Sequence, residues 1–374
     1  MEIQIKEVTR TRELRTFVHF PFTLYRDNPY WVPPLVLDEL NTLRKDKNPA
    51  FEHCEARYWL AYKDGKVVGR IAAIINRLHE EKWNQHYMRI GWIDFIDDAE
   101  VSAALFKTVE DWARERGMDA IHGPLGFTDM DREGMLVEGF DEIATMIGLY
   151  NYPYYPEHLE RLGYLKDTDW VEYEMTVPSE PIEPIAKAAK ISLRRYNLHL
   201  LEANSRKDLL PYAHQIFDLL NIAYSKLYGF VLLSPKQIDL YIKQYFDFVS
   251  PEYVPLVLDE NNHLVGFGIS MPSLSKALQR ANGHLLPTGF FHILKALNQN
   301  DRADLYLVAV KPEYIGLGVN AIMMSKMHET FIKKGIKTVE SNPELENNSA
   351  VQAQWKFFEK RQHKRRRCYI KHLA

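Results

Sequence analysis

The most informative stretch of this sequence is Val308-Ala309-Val310-Lys311-Pro312-Glu313-Tyr314-Ile315-Gly316-Leu317-Gly318-Val319-Asn320. An apolar run from Leu305 to Val310 predicts a strand, and Val319, Met323, Met327 and Phe331 follow at four-residue spacing, which predicts a helix. Gly316 and Gly318 lack a Cβ, so backbone N–H groups between them can approach an anion at the positive end of that helix. The stretch therefore predicts a strand, a turn that can hold a pyrophosphate, and a helix.

Length and composition place the chain among ordinary globular proteins. Its 374 residues predict two domains, and 46% hydrophobic with 26% charged residues leaves no reason to expect disorder over most of the chain. A net charge of −3 gives no general attraction to nucleic acid or to an anionic membrane, so such binding would need a local patch. No apolar signal core or membrane-spanning run is visible, and we expect a cytoplasmic protein. Cys54 and Cys368 have no metal-ligand spacing, and we expect no metal.

An internal duplication is visible when the two halves are aligned. Residues 97–121 align without a gap with residues 315–339, and both segments have the pattern of a helix, a glycine and a strand. A hairpin pattern precedes each, at residues 58–71 and at residues 254–269. Such a unit recurs by chance in many α/β proteins, but the shared order and lengths favour duplication.

The boundary between the two copies is predicted at residues 178–184, which contain three prolines. This gives domains at 1–178 and 179–374, with a connecting helix from about residue 185 to 196 and a strand at residues 198–201. The second copy carries an insertion at residues 274–298. Phe290, Phe291, Leu294 and Leu297 form one predicted helical face there, which is either core or a cover over a substrate cleft.

A strand, a P-x-Y-x-G-x-G turn and an amphipathic helix, preceded by a V-V-G hairpin, together resemble the GNAT family of acyl-CoA-dependent N-acyltransferases. The resemblance implies an α+β protein of two tandem GNAT-like domains, each a mixed β-sheet flanked by helices. It implies transfer of an acyl group from acetyl-CoA or another acyl-CoA to an amine. Ile315 stands where the family has Gln or Arg, and Asn320 where it has a small residue. The residues implied in cofactor binding are Val308 and Val310 on the strand, and Tyr314, Gly316, Gly318, Val319 and Asn320 in the turn.

The first copy departs from this pattern at the turn. Asp97, Asp98 and Glu100 align with Ile315, Gly316 and Gly318. Carboxylates suit a helix N-terminus, and Asp97 or Asp98 is predicted to cap it. At about 6 Å, each like-charge pair costs roughly 0.7 kcal/mol in water and about 3 kcal/mol at an effective dielectric of 20. We therefore expect the first domain not to bind CoA in the family's usual manner.

The candidate acids and bases are divided between the copies. The segment Asn151 to Tyr164 is similar to the family's closing helix, which implies Tyr155 as an acid for the leaving thiolate; the alternative for Tyr155 is packing. In the second domain Asn347 would open the same helix, but Gln354 and Trp355 stand where tyrosine is expected, and neither is an acid. Glu340, at the end of a predicted strand, is the candidate base, and a solvated strand-end carboxylate is the alternative.

Two charged segments leave several interpretations open. The acidic stretch at residues 123–142 is a plain loop, part of an amine-binding cleft, or a metal site, although it has no recognisable metal spacing. The basic residues between Lys356 and Arg367 form a solvated helix face, a contact for the 3′-phosphate of CoA, or an RNA patch. Hydrolase, P-loop and zinc motifs are absent from the sequence.

The sequence thus predicts an N-acyltransferase whose partners are an acyl-CoA and an amine. No membrane and no nucleic-acid partner is expected, and a homodimer is left open. A catalytically silent binding or scaffold protein and an aminoacyl or peptidyl transferase remain the alternatives, because a fold does not determine a function.

Overall fold

A computed structural model describes residues 2–373, apart from the side chain of residue 247. The chain divides into two compact units. The first comprises the chain up to Val171, Leu274–Ile293 and the segment from His363 onwards. The second comprises Glu172–Ser273 and Leu294–Gln362.

Helices and strands follow one another throughout the described chain. The elements are β1 (Gln4–Glu7), α1 (Thr11–Leu24), α2 (Val36–Thr42), β2 (Cys54–Lys63), β3 (Lys66–Asn76), α3 (Arg77–Trp83), β4 (Tyr87–Phe95), α4 (Ala99–Glu115), β5 (Ala120–Gly123), β6 (Met135–Glu138), α5 (Tyr154–Arg161), β7 (Leu165–Thr176), α6 (Glu183–Arg195), β8 (His199–Leu200), α7 (Arg206–Leu209), α8 (Ala213–Ala223), α9 (Pro235–Tyr245), β9 (Leu256–Leu258), β10 (Leu264–Pro272), α10 (Ser275–Ala281), α11 (Gly289–Asn298), β11 (Arg302–Val310), α12 (Val319–Lys334), β12 (Thr338–Glu340), β13 (Glu344–Leu345), α13 (Ser349–Gln352) and β14 (Lys360–His372). Short 3₁₀ turns lie at Pro49–Glu52, Leu210–Tyr212, Phe246–Phe248, Pro251–Tyr253, Pro312–Tyr314 and Ala353–Phe357.

The sheet of the first unit is mixed. Strands β1 to β4 are antiparallel neighbours in chain order, and β5 then runs parallel to β4. β14 pairs antiparallel with β5 and with β6. The predicted hairpin at residues 58–71 is the β2–β3 pair, which turns at Asp64 and Gly65, both with positive φ.

The sheet of the second unit repeats this plan. β8, β9, β10 and β11 are antiparallel neighbours, β12 runs parallel to β11, and residues 174–176 of β7 pair antiparallel with β12. Val319, Met323, Met327 and Phe331 are all buried on α12, and Gly335 ends the helix in the left-handed conformation, as the sequence predicted. The predicted mixed sheets flanked by helices are confirmed.

Each unit contains, at equivalent positions, a close approach between a glycine of the sheet and a valine of the following helix, and this supports duplication. A Cβ on Gly69 of β3 would lie 3.2 Å from Val101 of α4, and one on Gly266 of β10 would lie 2.7 Å from Val319 of α12. Val101 and Val319 are equivalent in the gapless alignment. In both units a hairpin glycine therefore lets the helix after the turn approach the sheet closely.

Two features of the chain division differ from the sequence prediction. The first unit ends inside β7 at Val171, rather than at residue 178, and it includes residues 274–293 of the insertion and the C-terminal residues from His363. In the insertion, Ile293 is the buried side chain of α11, whereas Phe290, Phe291 and Leu294 are exposed. These exposures do not fit the core alternative for the face, and a cover over a substrate cleft stays a prediction.

Candidate functional site

The second unit contains an opening between two parallel strands. β11 and β12 pair over only three positions, from Arg302 with Thr338 to Asp304 with Glu340, and β11 then continues alone to Val310. A one-residue bulge at Tyr306 interrupts the pairing of β11 with β10 and bends the strand. Where the strands separate, the Nδ2 of Asn342 donates to the carbonyl oxygen of Tyr306 over 2.7 Å. Among residues 2–373, no strand pairs with the backbone of β11 beyond this point on the β12 side.

The glycine turn leads directly from β11 into α12. Gly316 and Gly318 both have a φ of +82°, a conformation that strains residues with a Cβ, and no side chain caps the helix. Among residues 2–373, nothing accepts a hydrogen bond from the N–H groups of Gly316, Gly318, Val319 and Asn320. Four N–H groups without an acceptor therefore lie at, or just before, the positive end of a 16-residue helix.

The two glycines of the turn have different roles. A Cβ on Gly318 would lie 2.0 Å from the Oγ of Ser192, so this glycine allows α6 to pack against α12. A Cβ on Gly316 would meet nothing within 4 Å. Gly316 therefore leaves open space beside the free N–H groups, and its replacement would not disturb packing. Tyr314, the other turn residue predicted to bind cofactor, is half-buried and packs, like Val308 and Val310, against the buried cluster that contains Val319.

Tyr224, at the end of α8, contacts the edge of β11 at Val308, one of the strand residues that the family resemblance implied in cofactor binding. Its hydroxyl donates to the carbonyl oxygen of Val308 over 3.2 Å, and the Val308 N–H donates to the Tyr224 hydroxyl oxygen over 3.4 Å. Both contacts are long for their type. Sequence reasoning missed Tyr224, because no motif links residue 224 to residue 308.

A row of buried acids lies beside the separating strands. Glu340 is 4% exposed, as is its ladder partner Asp304, and a carboxylate oxygen of Glu172 lies within 4.8 Å of one of Glu340. Tyr306 donates to Asp304 over 3.3 Å. Burial, followed by the charge of Asp304, raises the pKa of Tyr306 well above its ordinary value. Glu340 is therefore not the solvated strand-end carboxylate that the sequence allowed.

The residues after β12 hold a second acid that the sequence did not single out. The indole N–H of Trp355 donates to the Oε1 of Glu344 over 2.7 Å, and burial raises the pKa of this carboxyl to about 7. Asn347 is exposed and lies one residue before the N-cap of α13, which is Asn348. The side chain of Asn348 accepts from the Val351 N–H, so the structure gives Asn348 the capping position.

In the first unit, tyrosines close the equivalent strand edge. Phe95, at the end of β4, donates its N–H to the Tyr155 hydroxyl over 3.1 Å and accepts from the Tyr154 hydroxyl over 2.6 Å. The Tyr155 ring stacks on Phe95 with centroids 4.4 Å apart, and its hydroxyl lies 2.7 Å from that of Tyr25. Tyr155 is fully buried, and this burial raises its pKa well above the ordinary value. The arrangement favours the packing role for Tyr155.

The helix that follows in the first unit is capped by its own acids. The Asp98 side chain accepts from the Glu100 N–H over 2.9 Å and forms an ion pair with Lys63 at 2.6 Å. Asp97 lies 2.9 Å from the Nε2 of His158. The predicted cap is therefore Asp98, and a carboxylate occupies the helix end that is open in the second unit.

A comparison with known protein families finds one family model that matches part of this chain. Residues 213–362 match the model of the acetyltransferase (GNAT) family. The chain therefore carries a segment that is similar to the GNAT family. The separating strands and the open helix end described above lie within the matched residues.

Relatives and solved structures extend the likeness to the whole chain. It is 27% identical over 376 residues to Protein YghO of Escherichia coli (strain K12), covering 99% of this chain and 95% of that protein. It is 26% identical over 369 residues to a bacterial ceramide synthase of Caulobacter vibrioides (strain NA1000 / CB15N), covering 94% and 92%.

Two solved structures have the same fold over nearly all of both chains. A tandem GNAT protein from the clavulanic acid biosynthesis pathway gives a TM-score of 0.55 at 13% identity, covering 99% of this chain and 98% of that one. A GCN5-related N-acetyltransferase from Sphaerobacter thermophilus gives 0.51 at 9% identity, covering 99% and 95%. The predicted tandem of GNAT-like domains is confirmed.

Hydrogen bonds to its own backbone, with one from Arg89, hold the acidic loop of the first GNAT-like unit. Asp131 accepts from the N–H groups of Phe127 and Thr128, and Arg89 donates to the Gly126 carbonyl over 3.0 Å. Burial raises the pKa of Asp131 to about 6 and that of Asp129 to about 7. These contacts support a folded loop; an amine-binding role stays a prediction.

The basic cluster near the C-terminus is largely paired with acids. Arg361 forms an ion pair with Glu174 at 2.9 Å, and Arg365 and Arg367 both reach Asp169. Arg366 is buried and donates to the carbonyl of Leu149. From Lys360 onwards the cluster lies on strand β14 rather than on a helix face, and its paired charges leave little for a phosphate backbone.

Two expectations concern membranes and metals. Within residues 2–373, every helix is too short or too polar to cross a bilayer. Possible metal ligands do meet in the first unit, where donor atoms of His122, Asp167 and Cys368 lie within 4.8 Å of one another. Burial, and then the charges of Arg89 and His79, lower the pKa of His122 well below its ordinary value. The same positive charges would oppose the binding of a metal cation.

Proposed function

We propose that this protein is an N-acyltransferase whose second unit binds acyl-CoA and transfers the acyl group to an amine. One observation carries the proposal: four free N–H groups stand at the N-terminus of α12, beside a strand edge that no other strand covers. A helix end with free donors suits a pyrophosphate, because the donors and the helix dipole both favour negative charge. The equivalent helix end of the first unit is capped by Asp98.

The residues of the turn and strand fit the parts of CoA. Gly316, Gly318, Val319 and Asn320 would hold the pyrophosphate through backbone N–H groups, which is why Ile315 in place of Gln or Arg is tolerated. Val308 and Val310 would present their backbone to the pantetheine arm. Tyr224 occupies the Val308 N–H and C=O through long contacts, and its hydroxyl would leave them when the arm binds.

The buried acids fit the chemistry of the acceptor. The thioester supplies an activated carbonyl carbon; the amine nitrogen attacks that carbon, the C–S bond breaks, and the amine loses a proton. Glu340, which lies beside Glu172, would accept this proton from the attacking neutral amine. The leaving thiolate takes its proton from solvent, because Gln354 and Trp355 carry no acidic proton.

The acceptor class to test first is a long-chain amino alcohol. One relative at 26% identity is named a bacterial ceramide synthase, and a ceramide is the N-acyl derivative of a long-chain amino alcohol. We therefore infer a lipid amine as acceptor and a long-chain acyl-CoA as donor. Acetyl-CoA with a small amine is the competing pair within the same reaction class.

The test combines binding and turnover. Acetyl-CoA and a long-chain acyl-CoA are each added to the full chain, and a bound ligand should raise the melting temperature by mass action. Free thiol is then measured with sphinganine and with small amines as acceptors. Thiol release that requires both the donor and an amine supports the proposal, and an absence of release with every pair contradicts it.

A catalytically silent binding protein is the second candidate. Tyr224 in contact with the pantetheine edge favours it, because a permanently closed edge would exclude the thioester. A melting shift without thiol release would support this candidate. A shift of less than about 1 °C with millimolar donor would contradict acyl-CoA binding altogether, since saturation a hundredfold above Kd contributes about 2.7 kcal/mol.

A further inference from the structure

The insertion between β10 and β11 contributes residues 274–293 to the first unit, where they are firmly attached. The Nε2 of Gln279 donates to the carbonyl oxygens of Pro29 and Trp31 over 2.8 and 2.9 Å. The Gly283 carbonyl accepts from the Val36 N–H over 2.9 Å. A Cβ on Gly283 would lie 2.6 Å from the ring of Phe22, so the backbone packs directly on that ring. The segment is part of the folded unit.

Despite this attachment, the segment presents large apolar side chains to solvent. Leu286, Phe290 and Phe291 keep 80%, 47% and 67% of their surface exposed. The two phenylalanine rings lie with centroids 6.2 Å apart. Gly289 and Ile293 face the protein on the same helix and are buried. Three large apolar residues together on one exposed segment are unusual for a surface that only meets water.

The charge of the segment has one sign. Residues 274–293 include Lys276 and Arg280, both exposed, and contain no Asp or Glu. Neither basic residue has a hydrogen-bond or ion-pair partner within the described chain. The ring of His284 lies 6.3 Å from that of His19 on α1. In a protein of net charge −3, a local patch of this kind is what binding to an anionic surface requires.

We propose that this insert surface, Leu286, Phe290 and Phe291 with Lys276 and Arg280, docks on an anionic lipid bilayer. Aromatic and aliphatic side chains enter the headgroup boundary, and nearby basic residues are attracted to anionic lipid headgroups. A protein partner fits less well, because three apolar side chains fall short of the roughly 800 Å² per partner of a stable interface, and lysine is depleted there. The inference does not depend on acyl transfer.

The experiment is sedimentation of the full chain with lipid vesicles. Vesicles of phosphatidylcholine alone are compared with vesicles in which about a third of the lipid is phosphatidylglycerol. The wild type should sediment with the anionic vesicles. The double variant Phe290→Ser, Phe291→Ser should bind about tenfold more weakly or worse, and Lys276→Glu with Arg280→Glu should abolish the preference for anionic lipid. Leu165→Ser, at an apolar residue that is 69% exposed outside the segment, is the matched control and should bind as the wild type does.

Three outcomes would overturn the inference. They are a wild type that stays in the supernatant, a double phenylalanine variant that binds normally, and a control that loses binding equally. Light scattering adds a fourth: a wild-type dimer that the phenylalanine variant dissociates would assign the surface to a second copy of the chain. All substitutions are at exposed positions, and unchanged thermal unfolding of each variant checks that the fold is intact.

Discussion

The two units have the same arrangement of strands before the turns at residues 97–100 and 315–318, but they differ in how the strand edge and the following helix end are hydrogen-bonded. In the first unit, Tyr154 and Tyr155 bond both backbone groups of Phe95, and Asp98 caps the next helix. In the second, the Tyr224 hydroxyl contacts the strand edge at Val308 through long hydrogen bonds, and no side chain of the described residues caps the helix. The first unit therefore satisfies with its own side chains the groups that are uncapped or more weakly bonded in the second. Binding is expected where the donors stayed free.

The largest effect is expected at Glu340. Replacing Glu340 with Gln keeps the volume but removes the base, and acyl transfer should fall by about 10² to 10⁴. The measurement is thiol release at saturating acyl-CoA. Glu329→Gln, on the exposed face of α12, is the control and should leave the rate unchanged. A full rate in Glu340→Gln would remove Glu340 from the mechanism and weaken the assignment of chemistry to the second unit.

Gly316→Asp tests the uncapped N-terminus of α12 by placing there the aspartate that the first unit has at the aligned position, Asp98. The carboxylate should lower acyl-CoA affinity about 10-fold to 100-fold, through charge repulsion at roughly 6 Å. Gly335→Asp is the matched control, because it has a similar positive φ and open space at the far end of the same helix. Calorimetric titration with acyl-CoA gives both affinities. Equal affinities in the two variants would show that the turn does not hold the phosphates.

How far the sequence predicts this molecule is clearest at the turn and at Tyr224. Periodic apolar residues and glycines are local signals, so α12, its glycine C-cap, both hairpins and the Asp98 cap could be predicted. Tyr224 and Val308 are 84 residues apart, and their contact depends on how α8 packs on β11, which no local pattern encodes. The exposure of Phe290 was missed for a similar reason: helical periodicity locates an apolar face but does not show whether another element covers it.

Tyr155→Phe tests whether the closed edge of the first unit is structural. Loss of the hydroxyl leaves the Phe95 N–H buried without an acceptor, and the free energy of unfolding should fall by about 1–3 kcal/mol. Acyl-CoA affinity should not change. Tyr62→Phe in the same unit is the control for the substitution itself. A stable variant with impaired acyl transfer would instead assign Tyr155 to the chemistry.

Glu344→Gln tests the buried acid behind the open edge. The pKa of Glu344 is raised to about 7 by burial, so the folded state binds a proton that the unfolded state has released, and stability falls as pH rises from about 4.5 through 7. Gln retains an oxygen for the Trp355 N–H and carries no charge. The variant should therefore be more stable than the wild type at pH 8 by about 1–2 kcal/mol and equal to it at pH 4. Parallel pH profiles would mean that Glu344 is solvated.

The smallest effect is expected at Tyr224, whose hydrogen bonds to the strand edge of the second unit are longer than those of Tyr154 and Tyr155 in the first. Its contacts with Val308 are long, and each contributes at most about 0.5–1.5 kcal/mol. If the hydroxyl competes with the pantetheine arm, Tyr224→Phe frees the Val308 backbone and acyl-CoA should bind about two- to fivefold more tightly. Tyr212→Phe, just before α8, is the control. Weaker binding in Tyr224→Phe would mean that the hydroxyl contacts the ligand, so that the second edge recruits a tyrosine for binding where the first uses tyrosines for closure.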